Sequence, residues 1–270
     1  MLPFHWGPFL QDGPLFLGIL NLTPDSFSDG GRFTDPEAAY QQALRLQASG
    51  ARMLDVGAES TRPGAAALAP GTEWERLATL LPRLVQGLPD LPLSLDTRHA
   101  EVACLGLGAG AAVLNDVTGF SSPDMLALAQ SSPCGLIAMR SRRQGADFLM
   151  PPYDDPTPRT HEAAVAELRS VRDRLRSAGI PDSRVLLDPG FGFGTSYLED
   201  LALWQALPDL PRLLDWPADR FCIGISRKRF VATRAGAPLL SPAERDPLTA
   251  ELHGEAIRWG YRVFRTHAIG

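Results

Sequence analysis

Eight short apolar runs recur along the chain at intervals of a few tens of residues, and most are followed by a longer segment of helical character. The strand candidates are 16–20, 52–56, 93–95, 112–114, 135–138, 185–187, 221–225 and 262–264. They are nearly continuously hydrophobic rather than alternating, the pattern of parallel strands covered outside by helices. Between them, 36–49, 71–87, 100–109, 123–130, 160–178, 199–207 and 242–260 read as helices, several opening at proline or just after Ser, Thr or Asp. Eight strands with intervening helices predict an α/β fold of the (β/α)8, or TIM-barrel, type. A doubly wound open sheet is the competing layout, because periodicity alone does not show closure. No internal repeat or linker divides the chain, so one domain is expected over 1–270.

Composition narrows the function classes. The chain carries 26 basic against 31 acidic side chains, a formal net charge of −5, which argues against a nucleic-acid partner. With 44% apolar and 21% charged residues it is neither disordered nor fibrous. Its 25 glycines and 24 prolines imply many tight turns between elements. The apolar stretch 15–20 has no basic residue before it and no small-residue cleavage pattern after it. Neither a signal peptide nor a membrane span is expected, and the protein reads as cytoplasmic. Cys104, Cys134 and Cys222 are far apart and in apolar surroundings, which suits reduced core residues. The histidines at 5, 99, 161, 253 and 267 show no zinc-ligand spacing.

Chemistry gathers where the strands end. Asn21, Asp55, Asp96, Asn115, Met139, Asp188, Ser226 and Arg265 each stand at or just beyond the C-terminal end of a different predicted strand, and all but Met139 are polar. Any one of them could merely cap the next helix or start a turn. Seven together mark the mouth where a barrel builds its active site. The segment 18–31, GILNLTPDSFSDGG, reads as a polar lid, and 55–65, DVGAESTRPGA, packs Glu59, Ser60, Thr61 and Arg62 into a loop able to grip an anion. Gly190, Gly192 and Gly194 do not make a dinucleotide fingerprint, since the next required glycine is Thr195.

These two segments, together with LSLDT (93–97), VLNDVTGF (113–120), LLDPGFGFG (186–194), CIGISRKRF (222–230) and the pair Arg265 and His267, strongly resemble the dihydropteroate synthases. The resemblance runs in order from about residue 15 to 267. It implies a TIM barrel that condenses 6-hydroxymethyl-7,8-dihydropterin diphosphate with p-aminobenzoate, giving 7,8-dihydropteroate and pyrophosphate with magnesium assisting. Such enzymes are the sulfonamide target of folate biosynthesis. The route it implies is SN1-like: pyrophosphate leaves, and the arylamine traps a pterin cation without any enzymic nucleophile.

The catalytic set so implied is Asp96, Asp188 and Lys228. Pterin binding falls to Asp96, Asn115, Met139, Asp188 and Lys228, where carboxylates can accept paired hydrogen bonds from the ring edge. Diphosphate falls to Asn21, Thr61, Arg265 and His267, with Asn21 also offering an oxygen to magnesium. The p-aminobenzoate pocket falls to Phe27, Thr61, Arg62, Pro63, Phe193 and Ser226. The resemblance allows a homodimer.

Departures from the family pattern suggest an alternative, a non-catalytic pterin-binding paralogue. Thr195 stands where lysine is usual, Ala138 precedes Met139 where histidine is usual, and Arg229 replaces a small residue. The stretch 141–148 and Ala268 also depart from the pattern. Both groups lost at 138 and 195 are expected to lie near the site. Gly270 follows His267 by three residues, leaving no room for the usual eighth helix. The flank of strands eight and one is then covered by N-terminal residues, by a partner or by nothing. A methyltransferase that passes a methyl group from a folate to a corrinoid is a third reading, disfavoured by the p-aminobenzoate loops.

Overall fold

A computed structural model of the chain describes residues 3–22, 36–59, 67–144, 147–149, 151–157 and 159–269. All eight expected strands form: β1 (Leu15–Asn21), β2 (Met53–Gly57), β3 (Leu93–Asp96), β4 (Val113–Asp116), β5 (Gly135–Met139), β6 (Val185–Asp188), β7 (Cys222–Ile223) and β8 (Val263–Thr266). They pair in parallel from β6 through β5, β4, β3, β2, β1 and β8 to β7. A parallel bridge between Leu187 and Phe221 joins the two ends of that series. The sheet is therefore a single-domain barrel, and the open doubly wound layout is excluded.

Strand side chains alternate between two apolar clusters, as a period of two requires. Leu20, Leu54, Val56, Leu114, Leu136, Leu187 and Phe264 face outward into the layer shared with the helices. Leu17, Met53, Val113, Ile137, Leu186 and Val263 fill the interior. The residues two positions beyond five of these inner residues are Asp55, Asn115, Met139, Asp188 and Arg265. The polar strand ends are thus the next inward-facing layer up.

The lower end of the barrel is stoppered by the start of the chain. Trp6 is fully buried against the inner cluster, and its indole N–H donates to the Arg184 carbonyl at 2.9 Å. Phe4 packs on it at 4.9 Å between ring centroids, and Phe9 stacks on Phe4 at 5.3 Å. These residues were one expected cover for the flank of β8 and β1; they instead close the opposite end from the polar mouth. On that flank His253, from the helix Asp246–Arg258, packs against Phe16 and Phe264.

Two further expectations need correction. The helix expected over 71–87 is two helices, Pro70–Leu77 and Leu80–Gly87. Pro82 has no N–H to donate to the carbonyl of Ala78, so a continuous helix would lose a bond there. Cys104 is not a core residue but exposed, because the helix Ala100–Gly108 buries Val102, Ala103 and Gly106 on its other face. Cys134 and Cys222 are buried and free as expected. Among the described residues no helix is long and apolar enough to cross a membrane.

Candidate active site

Arg265, rising from β8, ties the mouth together. Its Nε donates to Asp55 Oδ2 at 2.5 Å and its Nη2 to Asp96 Oδ2 at 2.7 Å. Asp55 also accepts from the Ser94 hydroxyl at 2.6 Å and from Asn115 Nδ2 at 3.0 Å. Strand register makes this possible, since Asp55 lies opposite Ser94 and Asp96 opposite Asn115. Asp55 is fully buried, whereas Asp96 and Arg265 keep 15% and 20% of their side chains exposed toward the mouth. Burial pushes the Asp96 carboxyl up to about 7, although the Arg265 cation opposes the shift. For Arg265, burial works against the charge, but Asp55 and Asp96 more than offset it and raise its pKa.

Asp188 sits across the mouth at the end of β6. It accepts from the Gly190 N–H at 2.7 Å, and burial raises its pKa against the pull of Lys228. The Gly190 turn is demanding: φ is +69°, and a Cβ there would lie 1.9 Å from the Arg140 carbonyl oxygen. Lys228 follows a left-handed Arg227 (φ +60°), which Asp246 pins through two bonds of 2.8 and 2.7 Å. That turn sends the lysine inward. Its ammonium donates to the Phe191 carbonyl at 2.5 Å and lies 4.6 Å from the Phe193 ring centroid. Burial lowers its pKa to about 8, with Asp188 resisting. Arg227 and Arg229, its neighbours in the basic run, are engaged elsewhere, Arg229 over the Tyr153 ring at 4.2 Å.

On the third side, the Ser226 hydroxyl meets His267 Nδ1 at 3.0 Å and accepts the His267 backbone N–H at 3.1 Å. Met139 is buried in register with Asp188. Asn21 ends β1 opposite Gly57, which itself lies opposite Asp96. The structure therefore brings Asp96, Asn115 and Arg265 into one hydrogen-bonded group. It pairs Lys228 with Phe193 and Ser226 with His267, and sets Asp188 and Met139 side by side. Phe27, Thr61, Arg62 and Pro63 lie outside the described residues. Glu59, near the end of β2, accepts two bonds from Arg98 at 2.9 and 2.8 Å.

Several working residues escaped the sequence reading. Asp55, in sequence one polar strand end among eight, is the hub of the Arg265 group. Arg140, almost fully buried, donates to the Pro189 and Gly190 carbonyls at 2.7 and 3.1 Å and to Glu167 at 2.8 Å, fixing the turn after β6. A charge directly after the continuous apolar run of β5 was the available signal. Ala138 is corrected: it faces outward into the helix-side cluster, so its departure from the family pattern lies away from the mouth. Thr195 is buried beneath the glycine turn and donates to Asp200 Oδ1 at 2.7 Å.

The chain matches the model of the pterin binding enzyme family over residues 17–267. It is 36% identical to the dihydropteroate synthase of Streptococcus pyogenes over 265 residues, covering 97% of this chain and 94% of that one. It superimposes on a Xanthomonas albilineans dihydropteroate synthase solved with 4-aminobenzoic acid with a TM-score of 0.81, at 36% identity, covering 100% of this chain and 94% of that one. A Yersinia pestis dihydropteroate synthase in a sulfonamide drug complex gives a TM-score of 0.82 at 32% identity, covering 95% and 90%. Barrel, mouth and motifs agree with these matches, and the chain belongs to the pterin binding enzyme family as a relative of its dihydropteroate synthases.

Proposed function

We propose that the protein is a dihydropteroate synthase, a transferase that joins a dihydropterin diphosphate to p-aminobenzoate with release of pyrophosphate. The observation that carries this reading is the mouth itself. Two inward carboxylates, Asp96 and Asp188, face the Lys228 and Arg265 cations above an apolar floor, and no activated nucleophile is needed beside them. A flat heterocycle with adjacent N–H donors suits buried carboxylates, and Asn115 can both donate and accept at a ring edge. Met139 offers an apolar surface to a ring face. Lys228, a donor only, suits the pterin carbonyl or a ring nitrogen.

Arg265 offers a cationic donor and His267 a ring N–H to the departing diphosphate at the β8 end, where barrels commonly hold phosphate. Once the diphosphate has gone, the carboxylates of Asp96 and Asp188 stabilise the positive charge left on the pterin methylene. The arylamine nitrogen then attacks, so catalysis is positioning and charge stabilisation. Ser226 and Phe193 line the side from which p-aminobenzoate approaches. The described residues hold no cluster of three or more His, Cys, Asp or Glu able to cage a metal. A single carboxamide oxygen from Asn21 fits magnesium that keeps its waters and takes substrate phosphate oxygens as ligands. Bound there, the ion would neutralise charge on the leaving diphosphate.

The test is pyrophosphate release by the purified protein with pterin diphosphate and magnesium, with and without p-aminobenzoate. Release with formation of dihydropteroate is expected. Binding of pterin diphosphate without release would overturn the reading in favour of a non-catalytic pterin binder.

A further inference from the structure

Lys228 is the only lysine in the chain; the other 25 basic residues are arginines. Its ammonium rests on a turn that a buried carboxylate supports from behind. Asp200, on the helix Tyr197–Ala206, is fully buried. Its Oδ1 accepts the Gly192 N–H at 3.0 Å and the Thr195 hydroxyl at 2.7 Å. Thr195 Oγ1 itself lies 3.1 Å from the Gly192 nitrogen. The other oxygen, Oδ2, is buried without a hydrogen-bond partner among the described residues. On the far side of Gly192 runs the Lys228 stem, whose Cδ would lie 3.6 Å from a Cβ at that glycine. The residues flanking Gly192 supply both contacts of the ammonium, the Phe191 carbonyl and the Phe193 ring.

We propose that Asp200, fastened by Thr195, is a positioning residue for the Lys228 ammonium: it fixes the turn that receives the ammonium and supplies negative charge behind it. A buried carboxylate with one oxygen unpaired costs stability unless its charge is used. Here Lys228 and Arg140 are the cations that favour that charge, against the burial that raises the Asp200 pKa. Around Lys228, Asp188 and Asp200 support the ammonium, while Arg265 and Arg140 oppose it. Thr195 fits this arrangement for an electrical reason. A hydroxyl can bridge Gly192 and Asp200, and, being uncharged, it leaves the carboxylate's charge to Lys228.

The placement of Lys228 does not depend on the proposed reaction, although its use in pterin binding does. Having one lysine makes the test direct. Trace acylation across a pH series, read by mass spectrometry, reports how much Lys228 is unprotonated in the intact protein. In Asp200→Asn the unprotonated fraction near about pH 6, well below the midpoint, is expected to rise about threefold to ninefold, the change a midpoint moved by half to one logarithmic step gives. Thr195→Val should move the same way, and Thr195→Ser should restore the wild-type curve. A Lys228 curve within about twofold of wild type in folded Asp200→Asn would overturn the proposal. Should that variant fail to fold, an unchanged curve in Thr195→Val would overturn it equally. In a protein that releases pyrophosphate, KM for pterin diphosphate should rise in Asp200→Asn more than kcat falls. Labelling reads the amine whether or not turnover occurs, so an inactive protein would count against the synthase reading and leave this measurement intact.

Discussion

Two side chains at the mouth titrate toward each other. Burial lifts Asp96 to about 7 and lowers Lys228 to about 8. If the carboxylate and the ammonium are the forms that hold pterin, kcat/KM for pterin diphosphate should be bell-shaped, with limbs near those two values. A steady-state pH series checks this, and a flat profile from 6 to 9 would contradict it. The same groups set stability. Between the ordinary carboxylate pKa and about 7, folded Asp96 binds a proton that the unfolded chain has lost, so its contribution falls as pH rises through that window. Lys228 is the mirror case: between about 8 and its ordinary value the unfolded chain holds the extra proton, so stability rises with pH there. Melting temperature against pH should show the first slope, and Asp96→Asn should flatten it. Arg265→Met is a harsher change, because it strands the fully buried Asp55 without its cation. A loss of about 3–5 kcal/mol in urea unfolding is expected, with kcat/KM down about a hundredfold or more. His267→Ala removes the ring's bond with the Ser226 hydroxyl but keeps the backbone N–H bond, and should cost only about 1 kcal/mol.

At the scale of elements, the turn after β6 carries the most function per residue, and it depends on a glycine. In Gly190→Ala a Cβ would meet the Arg140 carbonyl at 1.9 Å, and the Gly190 N–H that holds Asp188 would be displaced. Gly179→Ala is the natural comparison, since its φ is +72° but nothing lies within 4 Å of the added carbon. Left-handed strain alone costs about 1–2 kcal/mol, so Gly179→Ala should lose that amount and keep its pterin affinity. Gly190→Ala should lose more stability and most pterin binding, as calorimetry with the ligand would show. The strands were legible because apolar runs bounded by Asp and Asn are a local signal. So were the mouth residues, because the period of two that buries Val263 also turns Arg265 inward. Partnerships were not legible. Nothing within a few residues of Asp55 says that Arg265 will reach it, or that Thr195 will meet Asp200 rather than open toward substrate. Ala138 differs, because the signal there is local: adjacency to Met139 in sequence means the opposite face of a strand.

The whole molecule separates where it is held from where it reacts. Chemistry lies at the C-terminal ends of the strands, and the closure of the barrel floor lies at the other end, where Trp6 fills the interior against Leu15, Val113, Leu186 and Val263. Trp6 also satisfies the Arg184 carbonyl, and Arg184 in turn donates to the carbonyls of Cys134 and Ala129 at 2.8 and 2.9 Å. Removing the indole would open a cavity beneath the barrel and leave that carbonyl without its donor. A Trp→Ala change in a fully buried position costs about 3–5 kcal/mol, a large share of the roughly 5–15 kcal/mol that keeps a domain folded. Trp6→Ala should therefore lower the urea midpoint steeply. The layers of Leu17, Met53 and Ile137 stand between Trp6 and the mouth, so at temperatures where the variant stays folded its KM for both substrates should match wild type. Stability lost with KM retained would show that the two ends of the barrel work independently. A KM that rises with the loss of Trp6 would mean that the apolar floor transmits strain to Asp55 and Asn115, the residues next above it.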